Sequence, residues 1–189
     1  MSDHAISRFP VPDLADLPDD IRAQIETVQE KSGFVPNVFI ALAHRPDEFR
    51  AFTAMHDALM DKDDGLSKAE RELIVVATSA VNNCLYCVIA HGAILRIRSK
   101  RPQLADQVAL NPWKADLSER ERHMVDFALR MVNDSASVDD SDLDEMRAHG
   151  FTDDEIWDIG AITAFFGMSN RLANLSAMRP NDEFYTLGR

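Results

Sequence analysis

The chain has 189 residues, 46% of them hydrophobic and 28% charged, which suits one globular domain with a sizeable core. Its 20 basic and 32 acidic residues leave a net charge of -12, which argues against a nucleic-acid or anionic-membrane partner, since both need a positive surface. No apolar run reaches the roughly 18 residues of a membrane span.

Residues 1–18 read as an extended arm, with Pro10, Pro12 and Pro18 blocking regular helix. The arm has no apolar stretch of the secretory kind, so the expected compartment is the cytoplasm, where thiols stay reduced unless their chemistry requires otherwise. Residues 19–189 read as a single all-helical domain. Ile21, Ile25 and Val28 after Asp19-Asp20 predict an amphipathic helix closed at Ser32-Gly33. A short helix is expected after Pro36. A third opens at Pro46 and runs through Phe49, Phe52, Met55 and Leu59.

Ser67-Lys68-Ala69-Glu70 is a capping box, and the signature recurs at Ser118–Glu121 and Thr152–Glu155. Leu66-Ser67-x-x-Glu70-Arg71 and Leu117-Ser118-x-x-Glu121-Arg122 match at an offset of 51, a faint duplication or coincident capping chemistry. Further helices are expected over 84–99, 102–110, 118–133, 139–149 and 153–178. No strand pattern persists, so the fold class is all-α. The apolar helix from Ile156 to Met168 has little polar face, which predicts burial, in part against a second protomer. Trp113, Trp157, Phe165 and Phe166 read as core or subunit-contact anchors.

The chain has two cysteines, spaced three apart in Cys84-Leu85-Tyr86-Cys87, a coincidence at about one in a hundred for random placement. His91 follows four residues after Cys87, on the same helical face. Asn82-Asn83 reads as a break between two helices, with Asn83 capping a helix that starts at Cys84. If the two fold back as a hairpin, Glu72 lies about 15 Å up the first and His91 about 10–11 Å up the second. A carboxylate on the mostly apolar stripe of Val75, Val76 and Ser79 needs a partner, and His91 is available. The expected relay is Glu72, His91, Cys87, with Cys84 as resolving thiol. The attacker is open between the two sulfurs. Cys84 is nearer the helix N-terminus, whose positive end favours a thiolate, and Cys87 is nearer the imidazole. Cys87 is favoured, because an imidazole in reach both accepts and returns a proton.

Other readings compete. Cys84, Cys87 and His91 supply three zinc ligands where a structural site wants four, so neither metal nor cofactor is expected. Two buried, inert cysteines on a core helix would be commonplace. His56 and His123, on apolar helices, read as structural.

Glu72, eleven residues, Cys84-x-x-Cys87, three residues and His91 together resemble the motif of alkylhydroperoxidase D-like proteins of the carboxymuconolactone decarboxylase superfamily. Asn170-Arg171-Leu172-Ala173 and the run Arg179 to Tyr185 are similar to the subgroup of peroxidase-related enzymes, extending the resemblance over the chain from about residue 35. The resemblance implies a multihelical fold, a homo-oligomer (dimer, trimer or hexamer), and cofactor-free reduction of a small hydroperoxide at the expense of an external thiol or dithiol. It implies that Cys87 is the peroxidatic residue, activated through His91 and Glu72. One position departs: the best-known family members carry a histidine before the second cysteine, and here it is Tyr86, which is no base near neutral pH. A non-enzymatic redox-responsive oligomer and a decarboxylase-type proton-transfer enzyme are the alternatives in function.

Overall fold

The computed structural model describes residues 5–189, and among them it contains nine α-helices, four short 3-10 turns and no strand. In chain order these are α1 (Asp19–Ser32), α2 (Asn37–Leu42), α3 (Pro46–Met60), α4 (Lys68–Val81), α5 (Leu85–Ser99), α6 (Leu104–Leu110), α7 (Glu119–Asp134), α8 (Asp140–Ala148) and α9 (Asp153–Ser176). The all-α expectation holds, and the predicted helices appear with ends shifted by one or two residues.

The arm is not wholly extended, because Leu14–Asp16 forms a 3-10 turn. Its first four residues lie outside the described part. The rest is tied to the end of α9 by Arg8 N–H donating to Ser176 O and Arg179 N–H donating to Ile6 O.

α4 is the hub. Every side chain from Arg71 to Ser79 is buried, because α5, α6, α7 and α9 surround it. Leu73, Ile74, Val75 and Val76 are each at most 1% exposed, and each such side chain contributes about 1.5–3 kcal/mol of burial. All three predicted capping boxes are present, and a fourth unpredicted one opens α8 at Asp139 with Asp142. Arg120 joins three of these helix starts. From the first turn of α7 it donates to Glu70 at 3.1 Å and to Glu155 at 2.5 Å, the acidic members of the α4 and α9 boxes.

The matched Arg71 and Arg122 have different fates. Arg71 is fully buried, donating to Asp158 at 2.9 Å and to the carbonyls of Leu59, Asp64 and Leu66, so it clamps the α3–α4 loop. Arg122 has only a partly buried contact with Ala115 O. Phe165 and Phe166 are buried as expected, but Trp113 and Trp157 are 66% and 76% exposed and belong to no core of this protomer.

Candidate active site

The hairpin between α4 and α5 is built by the Asn82-Asn83 pair. Asn83 adopts a left-handed conformation (φ 50°), Asn83 N–H donates to Ala80 O, and Cys84 N–H donates to Ser79 O. This is the Schellman closure, with asparagine tolerated where glycine is commonest. The sequence reading is corrected here by one residue. Asn83 does not cap α5; Cys84 does, while also closing α4.

That double duty fixes the sulfur. As N-cap, Cys84 accepts a hydrogen bond at its Sγ from the backbone N–H of Cys87, at 3.4 Å. The first turn of α5 therefore directs an unspent N–H and its positive end at the thiol. Both cysteines are free and 1% exposed.

Their electrostatics differ. Cys84 is lowered from 9.0 to about 7, chiefly by the hydrogen bond from the Cys87 thiol, with further help from the Cys87 N–H, Asn170 and the nearby His91 imidazole. Cys87 is pushed well above the ordinary thiol range by that same hydrogen bond to Cys84 and by burial. Both shifts share one cause: the Cys87 thiol donates to Cys84, which favours the charged form there and disfavours it on Cys87. The sequence favoured Cys87 as attacker through its imidazole, whereas the contacts here, the Cys87 thiol first among them, favour charge on Cys84.

Glu72 and His91 meet as the hairpin requires. His91 Nδ1 lies 2.7 Å from Glu72 Oε2, with the two side chains 12% and 3% exposed. The imidazole is held in place by this contact and by Phe166, whose ring stands edge-on at 4.7 Å between centroids. A carboxylate on Nδ1 sets the tautomer and leaves Nε2 as the nitrogen available for proton transfer. Glu72 has a second neighbour that sequence reasoning missed. Arg98 Nη1 lies 3.4 Å from Oε1 as an ion pair without hydrogen-bond alignment.

α9 supplies the third wall. Asn170 is fully buried and donates from Nδ2 to Ser79 Oγ at 2.9 Å, while its Oδ1 accepts from Asn82 Nδ2 at 2.9 Å. It stands beside the thiols and favours the charged form of both, as Ser169 does for Cys87. The signal for Asn170 in the sequence was a lone amide on the stripe of Ile159, Ile162, Phe166 and Ala173, all buried. Ser169 had no such signal.

Tyr86 is structural. Its hydroxyl accepts the Val38 N–H at 3.3 Å, its ring packs edge-on to Phe184, and burial pushes its phenol further up. His56 is one ring removed from the site, tilted against Phe165 and edge-on to Phe166, so it reaches His91 only through an aromatic side chain. His123 lies on α7, where it stacks on His149.

Residues 46–111, which span α3 to α6 and include Glu72, both thiols and His91, match the carboxymuconolactone decarboxylase family. The chain is 66% identical to a peroxidase-related protein from Ralstonia eutropha JMP134 with an alkylhydroperoxidase AhpD core, at a TM-score of 0.97 over 98% of each chain. It is 43% identical to a peroxidase-related protein from Silicibacter sp. TM1040, at a TM-score of 0.93 over 100% of this chain and 99% of that one. The debrominase Bmp8, whose structure holds 2,3,4-tribromopyrrole, shares the fold at 19% identity and a TM-score of 0.78, over 94% of this chain and 95% of that one. No curated protein gives a significant match.

Proposed function

The chain belongs to the carboxymuconolactone decarboxylase family, among its AhpD-like, peroxidase-related members, and on that premise we propose that it is a thiol-dependent peroxidase working through Cys84 and Cys87. The observation that carries this reading is the 2.7 Å Glu72–His91 contact beside a thiol pair whose Cys84 member is lowered to about 7.

In the proposed cycle the Cys84 thiolate attacks the terminal oxygen of a hydroperoxide. The O–O bond breaks, the sulfur becomes a sulfenic acid, and the departing alkoxide takes a proton from His91, which Glu72 holds in place. Cys87 then attacks the Cys84 sulfur as a thiolate, its proton passing to the departing hydroxide, so that a disulfide and water form. Two external thiols, or one dithiol, reduce the disulfide and are themselves oxidised to a disulfide. Attack from Cys87 would first require its proton to move to Cys84, which is why Cys84 is taken here as attacker where the sequence favours Cys87. Asn170, buried beside them, favours the charged form of each sulfur.

We also propose that the working form is a homo-oligomer packed through α9. Trp157, Ala164, Met168, Leu172 and Leu175 leave an exposed stripe at helical spacing, with Met168 47% and Leu175 58% exposed. Two apolar cavities flank it, of about 580 Å³ beside Met168 and Leu172 and about 520 Å³ beside Trp157 and Ala164. A contiguous apolar face of this kind is unusual on a monomer.

One observation favours a second reading. The helix that carries Ser169 and Asn170 beside the thiols also bears the bare stripe, so oxidation would be felt at a subunit contact, as a redox-responsive oligomer requires. Peroxide consumption by the reduced protein with a dithiol donor separates the two. Turnover abolished in Cys84→Ser supports the peroxidase. No turnover in the native protein, with a change of oligomeric state on oxidation, rejects it. Activity surviving loss of both thiols would instead favour proton-transfer chemistry needing only Glu72 and His91.

A further inference from the structure

Outside the thiol site, α7 and α8 bring a second set of ligating side chains together. Glu119 opens α7 and His123 lies one turn later, so the two share a face. After the turn at Ser135–Ser137, α8 runs back and places its C-cap residue His149 beside His123. The two imidazole rings stack with centroids 3.3 Å apart and planes 19° from parallel. The ligand atoms of Glu119, His123 and His149 all lie within 4.8 Å of one another. Glu145, one turn before His149, brings Oε1 to 3.8 Å from His123 Nδ1. Among the described residues, neither ring makes a hydrogen bond within the protein.

We propose that Glu119, His123 and His149 form a site for a single divalent transition-metal ion of the zinc class, with Glu145 as the fourth ligand. Imidazole nitrogens select such ions over magnesium or calcium, which prefer all-oxygen shells. The carboxylates and the net charge of -12 favour any cation there. Tetrahedral zinc with bonds of 2.0–2.1 Å needs ligand atoms about 3.4 Å apart. The 4.8 Å spread closes by side-chain torsions alone, because Glu119 is exposed and both histidines are partly so. On loading, the rings exchange their stacked contact for convergent lone pairs. The ion then staples the first turn of α7 to the end of α8. His123, which reads as structural in the sequence, becomes a ligand.

The test uses the full chain carrying Cys84→Ser and Cys87→Ser, so that thiols take no part, stripped with a chelator. Zinc is titrated calorimetrically and cobalt(II) by its visible absorption. One equivalent should bind, with no sulfur charge-transfer band. His123→Ala and His149→Ala should each weaken binding by on the order of 100-fold, and Glu145→Gln by about 10-fold, with unchanged far-UV circular dichroism. If an alanine variant loses helix content, His123→Gln and His149→Gln replace it. No uptake by the thiol-free protein, or uptake indifferent to both histidine substitutions, overturns the assignment.

Discussion

Titration of the thiol pair offers the sharpest test of the site. A Cys84 thiol lowered from 9.0 to about 7 is half ionised at pH 7, against ~1% for an unperturbed thiol, a gain of ~50-fold in thiolate. A less basic thiolate is also a weaker nucleophile. With a Brønsted slope of about 0.4–0.5, two units of basicity cost ~8-fold, leaving a net advantage of ~6-fold in attack rate at pH 7. The assay is thiolate absorbance together with alkylation rate, followed across pH in the reduced protein. One thiolate should appear with a midpoint near 7 and the second only well above 9, since the charge on Cys84 opposes ionisation of Cys87. Cys87→Ala should move the Cys84 midpoint upward, because the largest stabilising contact of its thiolate is the hydrogen bond from Cys87. Cys84→Ala should abolish the neutral-range titration and bring the Cys87 midpoint down from its native value, leaving only burial to raise it. A neutral-range thiolate persisting in Cys84→Ala would move the charge to Cys87 and refute the reasoning.

Glu72→Gln keeps the shape of the side chain but loses the carboxylate that orients His91 for proton transfer, so peroxide turnover should fall on the order of 100-fold with little change in substrate KM. Unaltered turnover would detach the relay from the chemistry. Asp158→Ala strands the buried Arg71 charge and should destabilise the fold by about 3 kcal/mol, a Tm drop of roughly 6–12 °C by calorimetry. A drop under a degree would mean that the carbonyls of Leu59, Asp64 and Leu66 suffice. Met168→Glu on the bare stripe of α9 should shift sedimentation toward the monomer without lowering helix content. A native protein already monomeric at working concentration would remove the oligomer proposal.

Much of the local structure was legible because its causes are local. Capping boxes at Ser67, Ser118 and Thr152 fixed three helix starts, and Gly33 one end, through hydrogen bonds within a turn. The pairing of Glu72 with His91 followed from counting residues either side of Asn82-Asn83, since a tight hairpin converts sequence distance into height. One residue of slack at that turn still mattered, for it decided that Cys84 rather than Asn83 receives the first N–H of α5.

What chain order by itself could determine was therefore the helix inventory and the facing of an acid, an imidazole and two thiols across one turn. The different surroundings of the two sulfurs, the entry of Asn170 and Ser169, and the meeting of His123 with His149 were decided by packing alone. Those groups come from α9 and α8, remote in sequence from what they touch, and the side chains between them carry no periodic signal of the contact. Hydrogen bonding and burial, which set a thiol's ionisation, exist only once those helices have closed around it.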